Sequence, residues 1–222
     1  MPLEIACFNV KSALVAAEAG ADRIELCAGA SVGGTTPSFD DLETLKSRTK
    51  IPVNVMIRPR GGNFTYSEEE LGQITADIKL FKTLADGFVL GVLDSDNQIE
   101  RRVNRELVEL AGSKPCTFHR AFDEVPDLFV AADAVASCGF AAILTSGGQP
   151  NAVAGASIIA EVIERTKGKL EIVTGGGVRS VNLGELKRKT QGQWFHSSAI
   201  TEEATETANL EEVKQLQHKL KN

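Results

Sequence analysis

Cysteine is scarce and dispersed in this chain. The four present, Cys7, Cys27, Cys116 and Cys138, never form a Cys-x-x-Cys, and each lies in or beside an apolar run. That spacing speaks against a zinc or disulfide framework and for buried free thiols in a reducing compartment. Basic clusters are missing too: no run exceeds Lys187-Arg-Lys189, and the net charge is −6. Nucleic acids and anionic membranes are recognised by clustered Lys and Arg, so neither is expected as a partner. No apolar run approaches the ~18 residues of a membrane span, and the N-terminus shows no basic and apolar leader. A cytoplasmic protein is expected. Linkers, low-complexity stretches and composition breaks are also absent, and 222 residues with 42% hydrophobic content can bury one full core, so residues 1–222 are expected to form a single domain.

What is present is a regular alternation. Apolar, β-rich runs start near Leu3, Arg23, Pro52, Gly87, Pro115, Ala141, Leu170 and Trp194 and recur about every 27 residues, the length of one strand–helix unit with its loops. Helical patterns fill the intervals. Ser12 to Ala19 is alanine-rich and closes on Gly20. Ser38 can cap a helix at Asp41, and Ser67-Glu-Glu-Glu70 is a capping box leading into the stripe Leu71, Ile74, Ile78 and Phe81. A last helix through Leu210, Val213, Leu216 and Leu220 would cover the first strand. Repeated units without a long interruption predict an α/β fold, a closed (β/α)8 TIM barrel, over an open doubly wound sheet, because closure removes both sheet edges.

In such a barrel the chemistry lies at the C-terminal strand ends. The third strand, Ile51-Pro-Val-Asn-Val-Met-Ile-Arg-Pro-Arg-Gly-Gly62, ends in two arginines that a buried strand does not need. The other ends carry Glu4, Glu25, Cys27, His119, Asp123, Ser146, Gly176, Gly177, His196, Ser197 and Ser198. Carboxylates inside a lumen cost several kcal/mol each unless paired, so Glu4 and Glu25 are expected to meet Arg58, Arg60 or His119. Such a network can be functional or purely structural. Gly175-Gly-Gly-Val-Arg-Ser180 follows the seventh strand and opens a helix, where it serves either an anion or a tight turn. It is no dinucleotide fingerprint, since Ser180 replaces the third glycine. His196, beside two serines, is a ligand contact or a rim residue. Asp94-Ser-Asp96-Asn97 fails as a calcium loop because Ile99 and Arg105 stand where glycine and glutamate are required.

Several blocks together carry a family resemblance: Ala21-Asp-Arg-Ile-Glu-Leu-Cys27 with Gly33-Gly-Thr-Thr-Pro-Ser38, Met56-Ile-Arg-Pro-Arg-Gly-Gly62, Thr117-Phe-His-Arg-Ala-Phe-Asp123, Leu144-Thr-Ser-Gly147 and Phe195-His-Ser-Ser-Ala199. In this order, spanning nearly the whole chain, they resemble the CutC copper-homeostasis family. The resemblance implies a TIM barrel, a cytoplasmic location and monovalent copper bound through cysteines of the first two strands. One departure matters. The family pattern has Glu-x-Cys on the first strand, whereas this chain has Glu4-Ile-Ala6 and places its cysteine at Cys7. Strand side chains alternate faces, so Cys7 should point away from Glu4, leaving Cys27, alone or with Met56 or His119, as a weak copper site.

The expectation is therefore a copper-linked protein with Cys27 as the metal residue and no organic cofactor. The alternative is a lyase or isomerase acting on a small anionic, possibly phosphorylated, metabolite. In that alternative Glu4, Glu25, His119 and Arg58 would be catalytic, and Arg60, Asp123, Ser146, Gly176, Gly177, His196, Ser197 and Ser198 would bind the ligand. A homo-oligomer is expected.

Overall fold

The computed structural model describes residues 1–202 and 205–222. The eight strands are β1 (Leu3–Cys7), β2 (Arg23–Leu26), β3 (Val53–Met56), β4 (Gly87–Leu90), β5 (Cys116–Phe118), β6 (Ala142–Thr145), β7 (Glu171–Thr174) and β8 (Trp194–Ser197). They pair in parallel in chain order, and β8 returns to β1, giving a closed barrel. Among the described residues the eight α-helices are α1 (Val10–Glu18), α2 (Phe39–Arg48), α3 (Glu68–Phe81), α4 (Arg101–Ala111), α5 (Leu128–Ser137), α6 (Ala156–Thr166), α7 (Ser180–Thr190) and α8 (Leu210–Lys221). The chain is a single-domain (β/α)8 TIM barrel, as its strand spacing predicts.

The helix starts follow local chemistry. Ser38 accepts from Asp41 N, and Ser67 with Glu70 forms the reciprocal capping box. Helix α1 starts at Val10, two residues earlier than its alanine pattern suggests, because Asn9 caps it by accepting from Ser12 N at 2.8 Å. Helix α7 takes its cap from elsewhere. Glu212 of α8 accepts from Ser180 N at 2.7 Å and from Ser180 Oγ at 2.8 Å.

The strands divide the interior into two cores. Leu3, Ile5 and Cys7, Ile24 and Leu26, Val53 and Val55, and Phe88 and Leu90 point outward and join the helices in one large apolar cluster. The inward faces are different. They hold two small apolar groups, Cys27 with Met56 and Val89, and Ala142 with Leu144 and Val173, and between them a set of buried polar side chains. The alternation argument for the first strand holds: Cys7 packs outward in the main core, while Ala6 lines the mouth of the barrel. Cys7, Cys27, Cys116 and Cys138 are all buried and unbridged.

Candidate functional site

The lumen carboxylates are paired, with partners other than the expected Arg58, Arg60 and His119. Arg23 Nε donates to Glu4 Oε2 at 2.5 Å, and His196 Nε2 contacts Glu25 Oε2 and lies 3.9 Å from Glu4 Oε1. The reason is register. Glu4 stands level with Arg23 on one side and with His196 on the other, so both cations reach it across a single strand spacing. The Arg23 guanidinium also lies over the Trp194 ring, 3.9 Å from its centroid. Burial pushes the Glu4 carboxyl above its ordinary range despite Arg23 and His196. Burial alone would lower His196, but the charge of Glu25 and its hydrogen bond hold the imidazole above its ordinary value. Gly175 makes room for that imidazole: a Cβ there would stand 2.5 Å from Leu144 Cδ1 and 3.2 Å from His196 Nδ1.

One layer towards the mouth, the Cys27 thiol faces Glu25 Oε1 at 3.7 Å. Burial, and then the charge of Glu25, raises this thiol well above its ordinary pKa. Met56 packs with it in the same small apolar group, and Ala6 stands level with Glu25 on the neighbouring strand. Ligand atoms of Glu4, Glu25 and His196 lie within 4.8 Å of one another, a spacing that can hold a metal ion. Cys27 adds a sulfur donor at its edge.

The arginines at the tip of β3 are committed to the loops. Arg58 NH1 donates to the carbonyls of Val32 and Gly34 at 2.9 and 3.0 Å, and NH2 donates to that of Gly62 at 2.7 Å. Arg60 pairs with Glu70 at 2.5 Å and donates to Asn63 and to the carbonyls of Gly61 and Thr65. Between this loop and the charged wall opens a pocket of about 440 Å³ including its mouth, with Phe8, Met56, Phe64, His119, Leu144 and His196 among its lining. His119, at the end of β5, is buried, and a Cβ on Gly91 would stand 2.9 Å from its Nδ1, so only glycine leaves the ring its place.

Around the expected anion seat after β7 and β8 the protein's own groups are linked to one another. Arg179 donates to Ser197 Oγ at 3.1 Å, to Ser198 Oγ at 3.2 Å and to the carbonyl of Ile200. The carbonyls of Gly176 and Gly177 accept from Ala152 N and Asn182 Nδ2, and Glu212 holds the α7 N-terminus. Asp123 and Ser146 are tied to each other: Asp123 accepts from Thr145 Oγ1, Ser146 N, Ser146 Oγ and Gly148 N, and Arg120 bridges both. These residues shape the β5–β6 rim. Arg23, Arg179 and Glu212 are the side chains that reading the strand ends passes over. Only Arg23 had a signal in the sequence, its period-two spacing with Glu25 and Cys27.

Comparison with known proteins agrees with the resemblance. The model of the CutC family matches residues 1–201. A protein of Homo sapiens named copper homeostasis protein cutC homolog is 43% identical over 198 residues, covering 89% of this chain and 72% of its own. A CutC family protein of Parabacteroides distasonis is 45% identical over 196 residues, covering 87% of this chain and 81% of its own. The crystal structure of CutC from Streptococcus agalactiae superposes with a TM-score of 0.85 at 32% identity, covering 89% of this chain and 98% of that one. Phosphoribosylanthranilate isomerase from Thermotoga maritima, at a TM-score of 0.64 and 14% identity, shares the fold alone. The chain belongs to the CutC family.

Proposed function

We propose that this chain serves copper homeostasis by holding a copper ion as cargo at the barrel mouth, with Cys27 as the sulfur ligand and His196 and Glu25 beside it. The observation that carries this reading is the Cys27 thiol 3.7 Å from Glu25, whose other carboxylate oxygen meets His196. Thiolate and imidazole suit monovalent copper, and the ion takes the place of the protons these groups otherwise hold. Relatives named for copper homeostasis support the cargo. Ala6 presents a methyl group to the mouth, so the site has one thiolate, and its affinity should fall below that of a two-thiol site. A cytoplasmic location belongs to the same reading, supported by four unbridged cysteines.

Anaerobic competition against a calibrated chelator of monovalent copper tests it. The protein should bind one copper, Cys27→Ser should lose it, and Ala6→Cys should bind at least ~10-fold more tightly, a gain of one ligand. Binding that is unchanged in Cys27→Ser would place the copper elsewhere.

A further inference from the structure

Across the barrel from β1, His119 has a different environment from His196. Its Nδ1 accepts the backbone N–H of Ala121 at 3.3 Å. A ring nitrogen that accepts carries no proton, so in the neutral imidazole the proton sits on Nε2. Burial, and then the nearby charge of Arg58, keeps the ring neutral, with a pKa lowered to about 3. The Nε2–H is therefore a donor, and among the described residues it is buried without a partner. Among the described residues Arg58 Nε also lacks a well-formed hydrogen bond, and Arg58 is close enough to influence both Tyr66, whose hydroxyl it approaches, and His119. Buried donors are normally paired, and unpaired ones on two residues that line one pocket, Arg58 and His119, point to an acceptor from outside the chain.

We infer that this wall of the pocket binds a small organic carboxylate, with His119 Nε2–H donating to one of its oxygens and Arg58 supplying the compensating charge. Three features select that class. Arg58 and His119 can only donate, so the ligand must accept. The charge of Arg58 faces backbone carbonyls, and among the described residues no carboxylate pairs with it. Phe8, Met56, Phe64 and Leu144 give the pocket an apolar part that suits a short carbon body, and Arg120 adds a second cation to the lining, while Glu25, Cys27 and His196 line it as well. The Phe64 ring lies 4.8 Å from that of His119 and 4.6 Å from the Arg58 guanidinium, so it packs beside both. The inference does not depend on copper.

The test uses metal-free protein with ¹⁵N-labelled histidine, kept in chelator. Long-range proton–nitrogen spectra read which nitrogen of His119 is protonated. Pyruvate, 2-oxobutyrate and benzoate are then titrated, with 1-butanol and butylamine as controls. The expected result is a protonated Nε2 whose proton signal moves with the acids and not with the controls, accompanied by a rise in Tm. His119→Gln, which keeps an amide N–H near the same place, should retain binding, and His119→Phe should weaken it at least ~10-fold. An unprotonated Nε2, an Nε2 proton signal that no acid moves, or equal binding by folded His119→Phe would each overturn the assignment. The first two readings use the unaltered protein, so a variant that fails to fold does not decide the outcome.

Discussion

The two sides of the barrel mouth handle buried charge in opposite ways. On the β1–β2–β8 side, Glu4, Glu25, Arg23 and His196 neutralise one another inside the lumen. On the β3–β5 side no carboxylate among the described residues pairs with Arg58. Arg58 spends its guanidinium on three backbone carbonyls, and His119 stays neutral. The first arrangement pairs charges, so removing one member strands another in a low-dielectric interior. The second uses a charge to hold loops, so its loss releases a loop and strands nothing of opposite sign. The difference separates side chains that set the electrostatics of the site from those that set its shape.

The sharpest way to break this contrast is Arg23→Leu. Glu4 is almost wholly buried, and among the described residues its ion pair with Arg23 is much shorter than that with His196. Its loss should cost about 3–5 kcal/mol in urea unfolding. Glu4→Gln in the Arg23→Leu background should recover much of that, because no charge is then left unpaired. A double variant as unstable as the single one would mean that the stacking of Arg23 on Trp194, rather than the ion pair, dominates.

Arg58→Lys probes the other side and should cost less, about 2 kcal/mol, because an ammonium cannot span the carbonyls of Val32, Gly34 and Gly62 from one point. Limited proteolysis should show new cutting between residues 59 and 66 while the barrel stays intact. Equal stability and no new cut would show that the loops hold themselves.

The same contrast explains what could be read from the residues alone. The barrel was legible because strand–helix units recur evenly and their caps are local: Ser38 and Ser67 need only the next three residues. The outward turn of Cys7 was legible because alternation is a property of one strand. Partner choice was not. Arg23 meets Glu4 through the register between two strands, and a search confined to strand C-termini passes over a residue at the start of β2. The arginines of β3 looked free because the carbonyls they serve belong to loops that return from residues 32–34 and 62. A backbone path of that kind has no pattern in side-chain types.

The smallest effect, per step of pH, should carry opposite signs on the two sides. His196 has its folded pKa raised above the unfolded value near 6.5, so the folded state holds the proton longer. That contribution is fully present below pH ~6.5 and is lost as pH rises through the folded value. His119 is the reverse: its folded pKa is lowered to about 3, so the unfolded chain takes the proton first, and stability is lost as pH falls from ~6.5 toward 3. Either slope is limited to about 1.4 kcal/mol per pH unit. Urea unfolding of metal-free protein at stepped pH, with His196→Gln and His119→Gln beside the parent, should separate them. Relative to the parent, His196→Gln should gain as pH rises above ~6.5, and His119→Gln should gain as pH falls below it. Curves that run parallel to the parent for both variants would mean that the two imidazoles share one electrostatic environment, and the contrast between the two walls would fail.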